Sequence, residues 1–254
     1  MSTSEFSGKT ALVTGAAQGI GAACAAALAG SGVAKVVLVD LDGATLEAMD
    51  LPCEVVRVAG DVTDEALWAR VEQACGTLDC AVLNAGIAGT PALLSDMSYE
   101  DWRRVVSVNL DGLFLSLRST MKLAAKGAGV VLTASVAGVK AEPGTGPYGA
   151  SKAAVLHLAK IAAKEGARRR IRVNAIAPGG VDTAIWDAVP MFSDLVEKHQ
   201  GDRAGALEEM ASYATPMGRF QSPEEIAAQV LFLLSDAAGT ITGTALVTDG
   251  GYSL

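Results

Sequence analysis

The stretch TALVTGAAQGIGAACAAALAG, Thr10–Gly30, decides the fold. It reads as a short apolar run, a glycine-rich turn and a helix of small residues. Gly15 lets the backbone turn. Gly19 and Gly21 allow a phosphate to approach a helix N-terminus and let helix and sheet pack closely. The spacing is G-x-x-x-G-x-G rather than G-x-G-x-x-G, and a glycine motif alone is a weak signal. A tight strand–helix turn with no ligand has the same pattern. The next apolar run, KVVLVD at Lys35–Asp40, ends in an acid 19 residues beyond Gly21. A carboxylate there can accept hydrogen bonds from both hydroxyls of an adenosine ribose and repels a 2′-phosphate. No Arg or Lys lies in the turn or directly after Asp40, so the pattern favours NAD over NADP.

The same rhythm continues along the chain. Apolar runs at Glu54–Ala59, Leu78–Asn84, Val130–Ser135, Ile171–Ala177 and Ala245–Thr248 read as further strands. Helical segments are expected at Gly19–Gly30, Asp64–Cys75, Ser98–Lys126, Tyr148–Gly166 and Ser222–Ser235. Ser222, Pro223 and Glu225 spell a capping-box start. Continuous apolar strands separated by helices predict an α/β fold: a single-domain, doubly wound parallel sheet of about seven strands with helices on both faces. One domain over 1–254 is expected, with Thr183–Gly218 as an irregular insertion. Its length and its place after the sixth strand suggest a lid over a site. A packed helical hairpin serving only the core is the plainer alternative.

Half of the residues are hydrophobic and only 5% aromatic, which suits close helix-on-sheet packing. The net charge is −8, and no basic tract exceeds Arg168–Arg170. Nucleic acid and anionic membrane are therefore not expected partners. The N-terminus lacks a signal-peptide pattern and no apolar run is long enough to span a bilayer, so a cytoplasmic protein is expected. The four cysteines form no CxxC pair and read as buried free thiols. With two histidines a zinc site is not expected, and no metal is assigned.

PYGASK, Pro147–Lys152, places a tyrosine and a lysine four residues apart on one helix face. A nearby ammonium stabilises a phenolate and lowers a tyrosine pKa. Tyr148 could then move a proton to or from an alcohol oxygen. In order along the chain, TGAAQGIG, Asp61-Val62, Asn84-Ala85-Gly86, Tyr148-x-x-x-Lys152 and Pro178-Gly179 resemble the motifs of the short-chain dehydrogenase/reductase family. The resemblance covers nearly the whole chain and implies a Rossmann-like fold.

That resemblance implies further roles. Ser135 would hold and polarise the substrate oxygen, and Asn109 would hold a water linked to Lys152. A local backbone partner is the alternative for Asn109. NAD would lie against Gly15, Gln18, Gly19, Ile20, Gly21, Asp40, Leu41, Asp61, Val62, Asn84, Ala85, Gly86, Tyr148, Lys152, Pro178, Gly179, Val181 and Thr183. Substrate would meet Ser135, Ala137, Tyr148, Gly180, Trp186 and Met191. Gly180 is expected to leave room beside the nicotinamide, and Trp186, Met191 and Phe192 to line an apolar lid. Lys198 and Arg203 could hold an anionic substrate, although exposed charges are the simpler reading. The implied activity is NAD-dependent oxidation of a secondary alcohol or reduction of its ketone, with an apolar cyclic, aryl or steroid-like substrate. A non-catalytic NAD sensor, a 3-oxoacyl-type reductase and a reductase of carbon–carbon double bonds are the alternatives. The family resemblance also implies a homotetramer, with Asp249-Gly250-Gly251-Tyr252 near an interface.

Overall fold

The computed structural model describes residues 5–254. The first strand, β1 (Thr10–Thr14), runs into helix α1 (Gly19–Gly30) and then β2 (Lys35–Asp40), α2 (Gly43–Ala48) and β3 (Glu54–Ala59). Helix α3 (Glu65–Cys75) and β4 (Leu78–Leu83) follow. A long helical passage, α4 (Tyr99–Val106) and α5 (Leu113–Leu123), leads to β5 (Ala124–Thr133). The chain continues through α6 (Gly146–Gly166), β6 (Arg172–Pro178), α7 (Pro190–Lys198), α8 (Arg203–Ala214), α9 (Pro223–Leu234) and β7 (Ala245–Thr248). The strands form one sheet in the order β3-β2-β1-β4-β5-β6-β7. Every pairing is parallel. Winding reverses between β1 and β4, and a crevice opens there at the carboxyl ends of the strands.

Strand periodicity sorts the core into two layers. Leu12, Val37, Ala81 and Leu132 face α3, α5 and α6, where Trp68, Leu117 and Val155 complete the packing. Val13, Leu38, Val82 and Ile176 face α1 and α9. The small residues of α1 let α9 settle close through Ile226, Ala227 and Val230. Arg172 is buried and donates to the carbonyls of Leu233, Leu234 and Ser235, so a cation caps the negative end of α9. Ser222 and Glu225 form the expected reciprocal capping box at its other end. Cys24, Cys75 and Cys80 are free and buried, and burial pushes each thiol up to about 12.

Three expectations need correction. The single helix over Ser98–Lys126 is interrupted by a π-turn at Ser107–Gly112 and ends at Leu123. Ala124–Lys126 instead opens β5, because Ala124 pairs with Leu78 at the start of the neighbouring β4. A short helix at Gly43–Ala48 went unread, although Asp42 caps it by accepting from Thr45 N at 3.0 Å. Finally, 183–218 is not irregular. It holds a 3₁₀ turn at Ala184–Ala188 and then α7 and α8, which share a small core of Phe192, Ala206, Leu207 and Met210. Among the described residues no helix is long and apolar enough to cross a membrane.

Candidate active site

The glycine turn after β1 is built on the absence of side chains. A carbon added at Gly21 would lie 1.9 Å from Gly15 O, and one added at Gly15 would lie 2.9 Å from Ala85 Cα. Gly15 and Gly19 also have φ of +63° and +54°, where other residues are strained. Gln18 at the N-cap makes no side-chain bond to the helix. The first-turn amides of α1 are thus not blocked by a cap, and bare backbone at a helix N-terminus suits a phosphate. A cavity of about 330 Å³ opens here, lined by Gln18, Gly19, Thr183, Ala184, Asp187 and Arg203 among others. Ile20, next in the turn, is partly buried against the α1–α9 layer. Tyr148 is not in that lining.

The segment after β4 is tied to this turn. Thr14 Oγ1 accepts from Asn84 N at 2.9 Å and Ala85 N at 3.1 Å. Asn84 Nδ2 donates back to Gly15 O at 3.1 Å. Asp40 is held facing the turn: its carboxylate accepts from Ala17 N at 2.9 Å and from Asp42 N at 3.0 Å. Leu41 beside it is 74% exposed. Asp61 accepts from Thr63 N at 2.8 Å, while Val62 is buried against Gly112 and its carbonyl accepts from Trp68 Nε1. The sheet therefore brings Asp40, Asp61 and the glycine turn to one edge of the crevice.

Across the crevice, β5 delivers Ser135 and the first two turns of α6 deliver Tyr148 and Lys152. Ser135 is buried and its Oγ accepts from Ala137 N at 3.2 Å. Lys152 Nζ donates to Thr133 O at 2.9 Å and stands 5.7 Å from the Tyr148 ring centroid. Asn109 sits in the π-turn and is 1% exposed. Its Oδ1 accepts from Ile87 N at 2.8 Å, and its Nδ2 donates to Ile87 O at 2.9 Å and to Ser151 Oγ at 3.2 Å. The amide is thus engaged by the backbone of Ile87, 22 residues away, and by Ser151. A carbon added at Gly86 would lie 3.1 Å from Asn109 Oδ1 and 3.2 Å from Lys152 Nζ, so the three meet at one point. Sequence reasoning missed Ile87, Ser151 and Thr133, whose contributions are three backbone groups and one hydroxyl.

The loop after β6 closes the site from above. Pro178 ends β6, and Gly179 N donates to Thr248 O at 2.9 Å. Gln221 Nε2 donates to Gly179 O at 3.1 Å and to Thr248 O at 2.6 Å. Val181 is buried, and the Thr183 methyl lies against Gly19. The room expected at Gly180 is filled: a carbon added there would lie 2.4 Å from Phe220 Cδ1. Phe220 stacks on Trp186 with centroids 5.3 Å apart, and Trp186 Nε1 donates to Val181 O at 2.8 Å. Phe192 is buried in the hairpin core rather than lining a pocket, and Met191 is 65% exposed. Lys198 pairs with Glu209, and Arg203 with Asp182 and Asp187, so neither cation is free for an anionic substrate. Phe220 and Gln221 went unread because a short stretch of mixed polarity carries no periodic signal.

The electrostatics differ from the sequence expectation. Burial raises the Tyr148 pKa, and hydrogen bonding with Ser135 opposes this only in part. Residue-wide exposure is intermediate, yet the hydroxyl end is enclosed enough for desolvation to dominate. Burial lowers Lys152 to about 8. Both groups lose hydration together, so within the chain alone the cation does not make the phenol more acidic. A stability prediction follows for protein without added ligand. Below about pH 8 folded and unfolded chains both carry the lysine charge, and the full burial cost is present. Between about pH 8 and 10.5 only the unfolded chain keeps the proton, so stability rises with pH. Relative to Lys152→Met at matched pH, the wild type should gain about 3 kcal/mol across that window in urea denaturation. A pH-independent difference would contradict the burial.

A family model described as Enoyl-(Acyl carrier protein) reductase matches residues 15–253. The chain is 37% identical over 262 residues to a cis-4-hydroxycyclohexanecarboxylate dehydrogenase of Sinomonas cyclohexanicum, covering 98% of each. It is 40% identical over 255 residues to a 3-oxoacyl-[acyl-carrier-protein] reductase of Thermotoga maritima, covering 96% of this chain and 97% of the relative. The crystal structure of L-sorbose reductase from Gluconobacter frateurii, complexed with NADPH and L-sorbose, superposes with a TM-score of 0.88 at 28% identity. That match covers 99% of this chain and 98% of the other. With its sheet order, its glycine turn and these matches over nearly its whole length, the chain belongs to the short-chain dehydrogenase/reductase family of oxidoreductases.

Proposed function

We propose that this chain is an NAD-dependent dehydrogenase of secondary alcohols, working in reverse as a ketone reductase. The observation that carries the reading is the meeting of Ser135, Tyr148 and Lys152 across one crevice from a cradle that admits only backbone. A nicotinamide dinucleotide, when bound, takes or gives the hydride. Gly15, Gln18, Gly19, Ile20 and Gly21 hold its phosphates. Asp40 and Leu41 hold the adenosine ribose, and Asp61 and Val62 hold the adenine. Asn84, Ala85, Gly86, Pro178, Gly179, Val181 and Thr183 hold the nicotinamide end. Tyr148 moves the hydroxyl proton of the substrate, and Ser135 fixes the oxygen. With the cofactor bound, the charge of Lys152 would add to that of the nicotinamide in favouring the Tyr148 phenolate, and Asn109 would hold the water through which protons reach solvent.

Asp40 supports NAD, since an anchored carboxylate disfavours a second phosphate and the turn holds no Arg or Lys. An apolar cyclic substrate is supported by the side chains near α6. Val139 is exposed beside Ala137, and Leu94, Met97 and Trp102 line a cavity of about 370 Å³ at the first turn of α6. The cis-4-hydroxycyclohexanecarboxylate named for the Sinomonas relative shares the cyclic secondary alcohol of this reading and adds a carboxylate. A 3-oxoacyl substrate is the second reading, favoured by the identity to the Thermotoga reductase. Trp186 and Met191 belong to a helical lid that covers the substrate.

The Tyr148→Phe variant should lower kcat by about 10²- to 10⁴-fold. Its affinity for NADH, followed by fluorescence titration, should stay within about twofold of wild type. Wild-type turnover in that variant would remove Tyr148 from the mechanism. We also infer a homotetramer, because α5 exposes Phe114 at 52% and α6 exposes Ile161 at 42%. Sedimentation equilibrium should return four chains per particle, and a monomer would refute the assembly.

A further inference from the structure

The last residues of the chain touch both walls of the site. Tyr252 OH donates to Glu142 Oε1 at 2.9 Å. Lys140 Nζ donates to Tyr252 O at 3.1 Å and lies 4.1 Å from the Tyr252 ring centroid. Lys140 also pairs with Glu142 at 3.3 Å. Lys140 and Glu142 lie in the segment that joins Ser135 to Tyr148. That segment is continuous with the first turn of α6: Glu142 O accepts from Thr145 Oγ1 at 2.8 Å, and Thr145 O accepts from Gly149 N at 2.7 Å.

The other end of the turn is anchored just as firmly. Asp249 is buried and accepts from Gly251 N at 2.9 Å and Ser253 N at 2.8 Å, so the backbone coils around one carboxylate. Its Cβ would lie 2.7 Å from a carbon added at Gly179. Gly250 O accepts from Met217 N at 3.1 Å, tying the turn to the end of the lid. One short turn thus links the loop after β6, the lid and the segment between Ser135 and Tyr148.

We propose that Asp249–Tyr252 is a latch within the protomer, and that Tyr252 is a positioning residue which holds the substrate wall at 139–145 in register with Ser135 and Tyr148. It touches no reacting atom. Its grip is charge-assisted, because Glu142 is an anion and Lys140 adds a cation to the ring face. Burial and the Glu142 carboxylate push the Tyr252 phenol up to about 12, so the hydroxyl stays a donor throughout the working pH range. Loss of the grip leaves the chemistry intact and loosens the surface against which substrate packs. The effect therefore belongs in KM for the alcohol rather than in kcat. The kinetic part of this inference rests on the proposed dehydrogenase activity.

Two readouts on Tyr252→Phe separate the two claims. Hydrogen exchange at the amides of Val139, Lys140, Thr145 and Gly149 should speed up about tenfold, the loss expected for one hydrogen bond to a charged group. KM for a turned-over secondary alcohol should rise by a similar factor, with kcat and the KM for NAD unchanged. Glu142→Gln keeps an acceptor for Tyr252 but loses the charge, and should fall between wild type and Tyr252→Phe, whereas Glu142→Ala should match Tyr252→Phe, and the double variant should add nothing. Unchanged exchange in Tyr252→Phe overturns the latch. Faster exchange with an unchanged alcohol KM overturns the positioning role. If the wild type turns over no secondary alcohol, the activity reading fails, and the exchange experiment still decides the latch.

Discussion

Asn84, Ala85, Gly86 and Ile87 form the hinge on which the site depends. Thr14 Oγ1 and Gly15 O hold the first two residues, and the Asn109 amide holds the last from both its N–H and its carbonyl. Between these anchors Gly86 has no side chain, which lets Lys152 and Asn109 come together over it. The segment leaves the sheet at the point where winding reverses, so it joins the glycine turn of one half to the helix bearing Tyr148 in the other. Displacing it would spoil the cofactor cradle and the reacting centre together.

The π-turn gains meaning in this setting. A regular helix over 99–123 would turn Asn109 by a different angle from its neighbours. One extra residue in the turn, a feature common at functional sites, delivers the amide to the Ile87 backbone. Burial then decides the charge states. Lys152 and Tyr148 both lose water, and both shift toward their neutral forms. The proposed chemistry therefore relies on added positive charge from the nicotinamide to favour the phenolate.

Much of the sheet could be read from the chain itself, because buried parallel strands are continuous apolar runs and each is followed by a helix or turn signal. Thr10–Thr14, Lys35–Asp40 and Glu54–Ala59 have the expected bounds. The glycine turn and the Tyr148–Lys152 pair were legible because their residue types are costly elsewhere. The break in the long helix was not, since a π-turn leaves no residue type of its own. The split at Leu123 also escaped, because an alanine followed by lysine suits a helix until Leu78 pairs with Ala124. Phe220, which fills the space over Gly180, is a single aromatic in a polar stretch and only its stacking on Trp186 reveals it.

The most direct test of the central claim follows NADH absorbance with purified protein over a panel of secondary alcohols, with NAD and with NADP. The panel would include cyclohexanol, an aryl alcohol, a sugar alcohol and a 3-hydroxyacyl thioester. The account predicts turnover of the cyclic and aryl alcohols with NAD, and little with NADP. Preference for NADP, or for the sugar or thioester over every apolar alcohol, would contradict it, and NAD binding without turnover of any of them would move the chain to the sensor reading.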